Sequence, residues 1–375
     1  MHSPSVALAQ RLIQFRSLNP PGEEAACIAH LGALLSPAGL SVETYEFAPG
    51  RPSLVARLAG SGHEAPLCFT GHVDVVPLGM EPWSRDPFAG DIVDGKLYGR
   101  GSSDMKAGVA AFVTATLDLA AGGTQPRRGI TLVITAGEET GCEGAFHLGR
   151  TGALGRAALL IVAEPTSNRP IIAHKGSVRV AVRARGRTVH SSMPELGDNA
   201  IDKIADWIQR LKAHRFAVPA HPLLGPTTAS VTTVSGGLNI NSVPDLASFT
   251  VDFRTIPAHR HGDLLAEIAE LFGAEAEIEV ITDFAGYSTD PADDALAPLF
   301  AILTERFGER PEPKGAPYFT DASALVPAFA NVPTVVIGPG EAAQCHQTDE
   351  FCFVDRIDEA HAIYGDLITR FCVQG

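Results

Sequence analysis

The sequence predicts an α/β protein in two parts, an α/β domain interrupted by an inserted α+β domain of ferredoxin-like order. Three observations predict it. At 375 residues the chain exceeds what one ordinary core fills. Apolar strands alternate with helices up to residue 176 and again after 284, the texture of a sheet covered on both faces. Between these stretches the order is β-α-β-β-α-β, that of a split βαβ unit.

The elements follow in order. Residues 6–15 and 23–35 read as helices, separated by the breaker Asn19-Pro20-Pro21-Gly22. Runs 41–47, 53–58 and 67–76 read as strands. Residues 107–121 form a helix whose Thr114, Thr116 and Asp118 are out of place in a membrane span. A strand at 130–136, a short helix at 144–148 and a strand at 157–163 complete the first stretch. In the insert, 177–185 alternates as a strand and 199–215 is helical. Strands at 228–234 and 247–255 flank a Gly236-Gly237 turn region, and a helix at 261–272 and a strand at 275–283 follow. The chain then resumes with a helix at 295–307, a strand at 334–337 and a helix at 356–371. The expected domains are therefore 1–176 with 284–375, and 177–283.

Composition narrows the class. Hydrophobic residues at 45% and charged residues at 19% suit a globular chain with sizeable cores. A formal net charge of -14 argues against nucleic acid or an anionic membrane as partner. Cys27, Cys68, Cys142, Cys345, Cys352 and Cys372 form no CxxC pair and no regular spacing, so reduced thiols in a cytoplasmic protein are expected. The first residues are polar where a signal peptide needs an apolar run.

Five potential metal ligands stand just past an apolar strand or in the loop after it, where open α/β sheets bind ligands. His72 and Asp74 share a face in Gly71-His72-Val73-Asp74, so the carboxylate can fix the imidazole tautomer. By itself such a pair is as readily structural. Asp104 lies in the glycine-punctuated Gly99-Arg100-Gly101-Ser102-Ser103-Asp104, and alone could be an N-cap. Glu138 and Glu139 are adjacent carboxylates at a strand end, which a cation would reconcile. Glu164 closes an apolar strand, and His346 lies in Cys345-His346-Gln347-Thr348-Asp349-Glu350. Two histidines and three carboxylates suit two zinc ions, and Glu138 is left over as a base for metal-assisted hydrolysis. Gly338-Pro339-Gly340-Glu341-Ala342-Ala343 fits GxGxxA but opens no βαβ unit, and no G-x-S-x-G supports a serine hydrolase.

On these motifs the sequence resembles the acetylornithine deacetylase, succinyl-diaminopimelate desuccinylase and aminoacylase family of zinc metallopeptidases, over nearly the whole chain. The resemblance implies a zinc-peptidase-like mixed-sheet catalytic domain with an inserted lid and dimerisation domain. It implies Asp104 bridging two zinc ions, with His72 and Glu164 on one, and Glu139 and His346 on the other. Cobalt is a possible substitute. Asp74 would orient His72, Glu138 would be the general base, and the Asp104–Met105 peptide would be cis. His190, in Val189-His190-Ser191-Ser192, matches a family histidine that stabilises the oxyanion across a homodimer interface. Val189 departs from the small residue often found there. Asn241 and Arg254 resemble residues that hold the substrate carboxylate, an exposed strand arginine being the competing reading. Ala173-His174-Lys175-Gly176 and the His-Gln-x-Asp-Glu tail lean toward the deacetylases, so N-acetylornithine, in arginine biosynthesis, is the expected substrate. A desuccinylase, a dipeptidase or aminoacylase, and a non-catalytic binding relative are the alternatives. Phe319-Thr320-Asp321-Ala322-Ser323 and Gly338-Pro339-Gly340 are expected to line the site.

Overall fold

The fold is taken from a computed structural model, which describes residues 2–374. The chain opens on helix α1 (Pro4–Ile13), whose first turn is capped by Ser3 Oγ, 3.3 Å from the amide of Val6. Helix α2 (Ala25–Leu35) follows the Pro-Pro breaker, in which the Asn19–Pro20 and Pro20–Pro21 peptides are both cis. Then come β1 (Ser41–Glu46), β2 (Pro52–Leu58), β3 (Leu67–His72), the short β4 (Ile92–Val93) and β5 (Lys96–Tyr98), and α3 (Ala107–Ala121). The first stretch ends with β6 (Ile130–Thr135), α4 (Glu143–Thr151), β7 (Leu159–Val162) and β8 (Ile171–His174).

The next elements are β9 (Gly176–Arg185), α5 (Ala200–Ala213), β10 (Thr228–Gly236), β11 (Leu246–Thr255), α6 (His261–Phe272) and β12 (Ala276–Phe284). After β13 (Tyr287–Ser288) come α7 (Ala297–Phe307), β14 (Lys314–Ala316), α8 (Ala322–Ala328), β15 (Thr334–Val336), β16 (Phe351–Phe353) and α9 (Val354–Ile368).

The chain divides into two compact units, Met1–Ile172 with Ser288–Lys314 and Thr320–Gly375, and Ala173–Tyr287 with Gly315–Phe319. In the first, the strand order β1-β2-β6-β3-β7-β15-β8 is mixed. β3 runs parallel to β6 and β7, and β15 parallel to β7, while β2 meets β6 antiparallel. Every residue of β3, β6, β7 and β15 is buried, as strands covered on both faces must be. Phe69 on β3 stacks on Phe112 of α3 at 5.7 Å and meets the edge of Tyr364 of α9 at 5.3 Å. The Tyr364 hydroxyl donates to the Ile337 carbonyl at 2.6 Å, so this buried ring leaves no orphan polar atom.

The second unit is a four-stranded antiparallel sheet, β10-β11-β9-β12. Alternate residues of β9 and β11 (Val178, Val180, Val182, Phe249, Val251, Phe253) bury against α5 and α6 through Ile204, Trp207, Leu211, Leu264, Ile268 and Phe272. This is the mixed α/β fold with an inserted α+β unit that the sequence predicts. The segment Gly315–Phe319 groups with the second unit, because the Lys175 amide donates to the Ala316 carbonyl at 3.0 Å and Phe319 stacks on Phe284 at 4.6 Å. The expected strand 67–76 stops at His72, since beyond it the Val75 amide turns to the Ser17 carbonyl at 2.9 Å. No helix among the described residues is long and apolar enough to cross a membrane.

Candidate metal centre

Parallel neighbours β6, β3 and β7 end side by side, and their carboxyl ends deliver four of the expected residues to one place. His72 is the last residue of β3, Glu138 and Glu139 lie in the turn after β6, and Glu164 follows β7. Asp104 comes from the irregular turn Ser102–Lys106 that opens α3, and its peptide to Met105 is cis. His346 lies in the loop before β16 with φ of 63°. All belong to the first unit.

The side chains converge as two groups that share Asp104. His72 Nε2 stands 3.2 Å from Asp104 Oδ1 and 3.8 Å from Glu164 Oε1. His346 Nε2 stands 3.1 Å from Glu139 Oε2 and 3.6 Å from Asp104 Oδ2. Within each group the donor atoms lie within 4.8 Å of one another. Neutral imidazole and carboxylate are the donors zinc takes, and a carboxylate presenting one oxygen to each group is a ready bridge. Glu139 Oε1 is buried with no hydrogen-bond donor, an orphan that a cation would satisfy.

The electrostatics point the same way. Burial pushes the Glu164 carboxyl well above the usual carboxylate range, and Asp104 adds to the push. Enclosure does the same to Glu138, against the pull of His72 and with that of Glu164 and Glu139. Burial works against a charged His72, yet hydrogen bonds to Asp104 and Asp74 outweigh it and raise its pKa. Crowded carboxylates that cannot all ionise without a cation are what a metal centre looks like before its ions are counted.

Behind these side chains stands a frame that the sequence only partly discloses. His72 Nδ1 is 3.0 Å from the carbonyl oxygen of Asp74 and 3.5 Å from its carboxylate, so the backbone is the nearer partner. The Asp74 carboxylate also accepts the amides of Glu138 (3.2 Å) and Glu139 (3.1 Å) and the side-chain amide of Asn19 (2.8 Å). Glu350 is the second tie. It accepts the amides of Gly101 (3.0 Å), Ser103 (2.8 Å) and Asp104 (3.1 Å) and pairs with Arg100 at 2.7 Å. Arg100 also donates to the Gln347 carbonyl at 3.1 Å, so one buried ion pair pins the Asp104 turn to the His346 loop. Neither Asn19, Arg100 nor Glu350 was singled out from the sequence. A charged residue inside a glycine-rich turn, and a second beside a ligand histidine, were the signals available.

The remaining expected residues lie in the second unit. His190 Nδ1 is 2.8 Å from Ser192 Oγ, and the Ser191 amide donates to the Asn241 carbonyl at 3.0 Å, which brings His190 and Asn241 to one end of that unit. Arg254, on β11, pairs with Asp252 at 3.1 Å and lies over the ring of Phe319. Of the expected site-lining loops, Thr320 and Asp321 are buried in the first unit and Phe319 belongs to the second.

A mixed α/β sheet carrying two His/carboxylate groups on a shared aspartate defines a metal-dependent hydrolase. Residues 68–370 match the model of peptidase family M20/M25/M40, and the chain belongs to that family, as a zinc-dependent amidohydrolase or metallopeptidase. It is 32% identical to a probable succinyl-diaminopimelate desuccinylase of Staphylococcus epidermidis, over 91% of this chain and 92% of that one. It is 33% identical to the acetylornithine deacetylase of Proteus mirabilis, over 86% and 84%. In fold it is similar to the aminopeptidase PepT of Bacillus cereus, with a TM-score of 0.78 and 23% identity over 97% of both chains.

Proposed function

We propose that the protein hydrolyses the amide bond of a small N-acyl amino acid, with succinyl-diaminopimelate as first substrate. The observation that carries this reading is the shared Asp104 flanked by His72 with Glu164 and by Glu139 with His346. These residues would hold two zinc ions, or cobalt in their place. Bound zinc supplies Lewis acidity to the carbonyl and lowers the pKa of water to about 7.

Glu138 takes the proton of the attacking water and passes it to the leaving nitrogen as the C–N bond breaks. A carboxyl held above its ordinary pKa suits both halves of that task. The amides that Asp74 fixes orient Glu138 and Glu139 together. His190 stabilises the oxyanion, and Asn241 and Arg254 hold the substrate carboxylate, from a homodimer formed through the second unit.

Succinyl-diaminopimelate stands first because a relative of that name matches over more of the chain than the deacetylase does. N-acetylornithine is the second reading, favoured by His174-Lys175-Gly176 and the His346-Gln347-Thr348-Asp349-Glu350 tail. Amine release from succinyl-diaminopimelate, N-acetylornithine and simple dipeptides, measured in parallel on zinc-loaded protein, tests the proposal. Preference for an acylated amino acid is expected; turnover of dipeptides alone would sink it.

A further inference from the structure

We propose that Cys142, Glu138 and Asp321 form an additional cation site in the first unit, one that takes a soft divalent ion and inhibits hydrolysis when filled. The turn after β6 curls back so that the amides of Gly141 and Cys142 both donate to the Glu138 carbonyl, at 2.9 and 3.0 Å. Cys142, at a left-handed φ of 55°, thereby sets its sulfur 3.8 Å from Glu138 Oε1. Asp321, just ahead of α8, completes the group, and the three donor atoms lie within 4.8 Å of one another.

Zn–S of about 2.3 Å and Zn–O of about 2.0–2.2 Å put donors on a tetrahedral ion roughly 3.3–3.6 Å apart, so the spacing needs only small adjustment. Asp321 is 1% exposed. Its Oδ2 accepts the Thr135 hydroxyl, the Cys142 thiol leans on the same carboxylate, and Oδ1 is buried with no regular hydrogen-bond donor. An orphaned carboxylate oxygen beside a buried thiol and a second carboxylate is a ligand set lacking its ion.

A divalent ion held between Glu138, Asp321 and the Cys142 sulfur would offset the repulsion between two crowded carboxylates. Neither Cys142 nor Asp321 belongs to the Asp104-sharing groups. On binding, the ion replaces the thiol proton, which leaves to solvent, and the sulfur selects cadmium or surplus zinc over magnesium. Inhibition follows because Glu138 is then engaged by the ion; this half rests on the assignment of Glu138 as base, and the binding half does not.

Cadmium chloride titrated into the zinc-loaded protein tests it. Binding beyond the two zinc equivalents should bring up a thiolate-to-cadmium charge-transfer band while hydrolysis falls. The band should persist in Cys345→Ser and vanish in Cys142→Ser. Asp321→Asn should weaken this binding about 10-fold or more, and decides the matter if the Cys142 variant does not fold. A band retained by Cys142→Ser, unchanged affinity in Asp321→Asn, or full hydrolysis with the ion bound would each overturn the proposal. Failure to hydrolyse either acyl amino acid would strike the substrate reading alone, since the band is recorded without substrate.

Discussion

Glu138 is the residue on which turnover should depend most while binding of the ions on the two Asp104-sharing groups depends on it least. It belongs to neither Asp104-sharing group. Glu138→Gln keeps the shape and removes the proton acceptor, so a fall of about 10²–10⁴-fold in kcat is expected with metal content unchanged. Metal analysis beside steady-state kinetics checks both halves, and near-native turnover in the variant would remove Glu138 from the reaction. Glu350 makes the opposite prediction. Glu350→Gln leaves the guanidinium of Arg100 buried without a countercharge, and breaking such a pair costs about 3–5 kcal/mol. It also loosens the Asp104 and His346 loops, so the ion on the Glu139–His346 side should bind about 10–100-fold more weakly. Equilibrium dialysis against a zinc buffer would show it; native affinity for both ions would reduce Glu350 to a bystander. The ligands themselves were legible because each sits at a strand end inside a short motif. The Arg100–Glu350 and Asn19–Asp74 ties were not, because no local pattern tells a residue which distant loop it will meet.

At the scale of elements, alternation and helical runs were enough to place β9, β11, α5 and α6, where one face of each is buried. The hairpin β4–β5 and its partner β16 escaped notice. Strands of two or three residues have no period to read, and they exist because Phe351 pairs with Tyr98 across the molecule. Two elements make quantitative claims. Gly108, in the first turn of α3, would drive a Cβ into the carbonyl oxygen of Ala163 and to 2.9 Å from its methyl carbon. Backbone cannot step aside, so Gly108→Ala should lower stability by about 1–3 kcal/mol although alanine is the better helix former. Chemical denaturation decides the sign. The other claim concerns β8, where His174 is fully buried, its Nε2 has no partner, and burial holds its pKa down at about 4. The folded state therefore keeps His174 neutral where the unfolded chain, near 6.5, takes up a proton. Stability from this group is complete above pH 6.5 and is lost as pH falls toward 4, by about 3 kcal/mol. His174→Gln should flatten that slope in denaturation curves recorded from pH 4 to 7, and an unchanged slope would mean another group controls it.

For the whole molecule, the division into two units has a thermodynamic consequence. Every residue of the two Asp104-sharing groups lies in the first unit, while β9 to β12 with α5 and α6 have a core of their own. Ions that bind only the folded first unit stabilise it by about 2.7 kcal/mol at a free concentration 100-fold above Kd, and about 4.1 kcal/mol at 1,000-fold. The second unit contributes no ligand to those groups and draws none of that stabilisation directly. Calorimetry of the full chain should therefore resolve a metal-dependent transition and a metal-independent one, and chelation should lower only the former. The identity of each transition is open to check: Gly108→Ala should move the metal-dependent one, and His174→Gln, at the end of β8 that groups with the second unit, should move the other at acid pH. If chelation instead lowers both by the same amount, or melts the chain in one step whose midpoint tracks zinc, the units unfold together. Metal binding would then hold up the entire chain through coupling that the separate cores do not require.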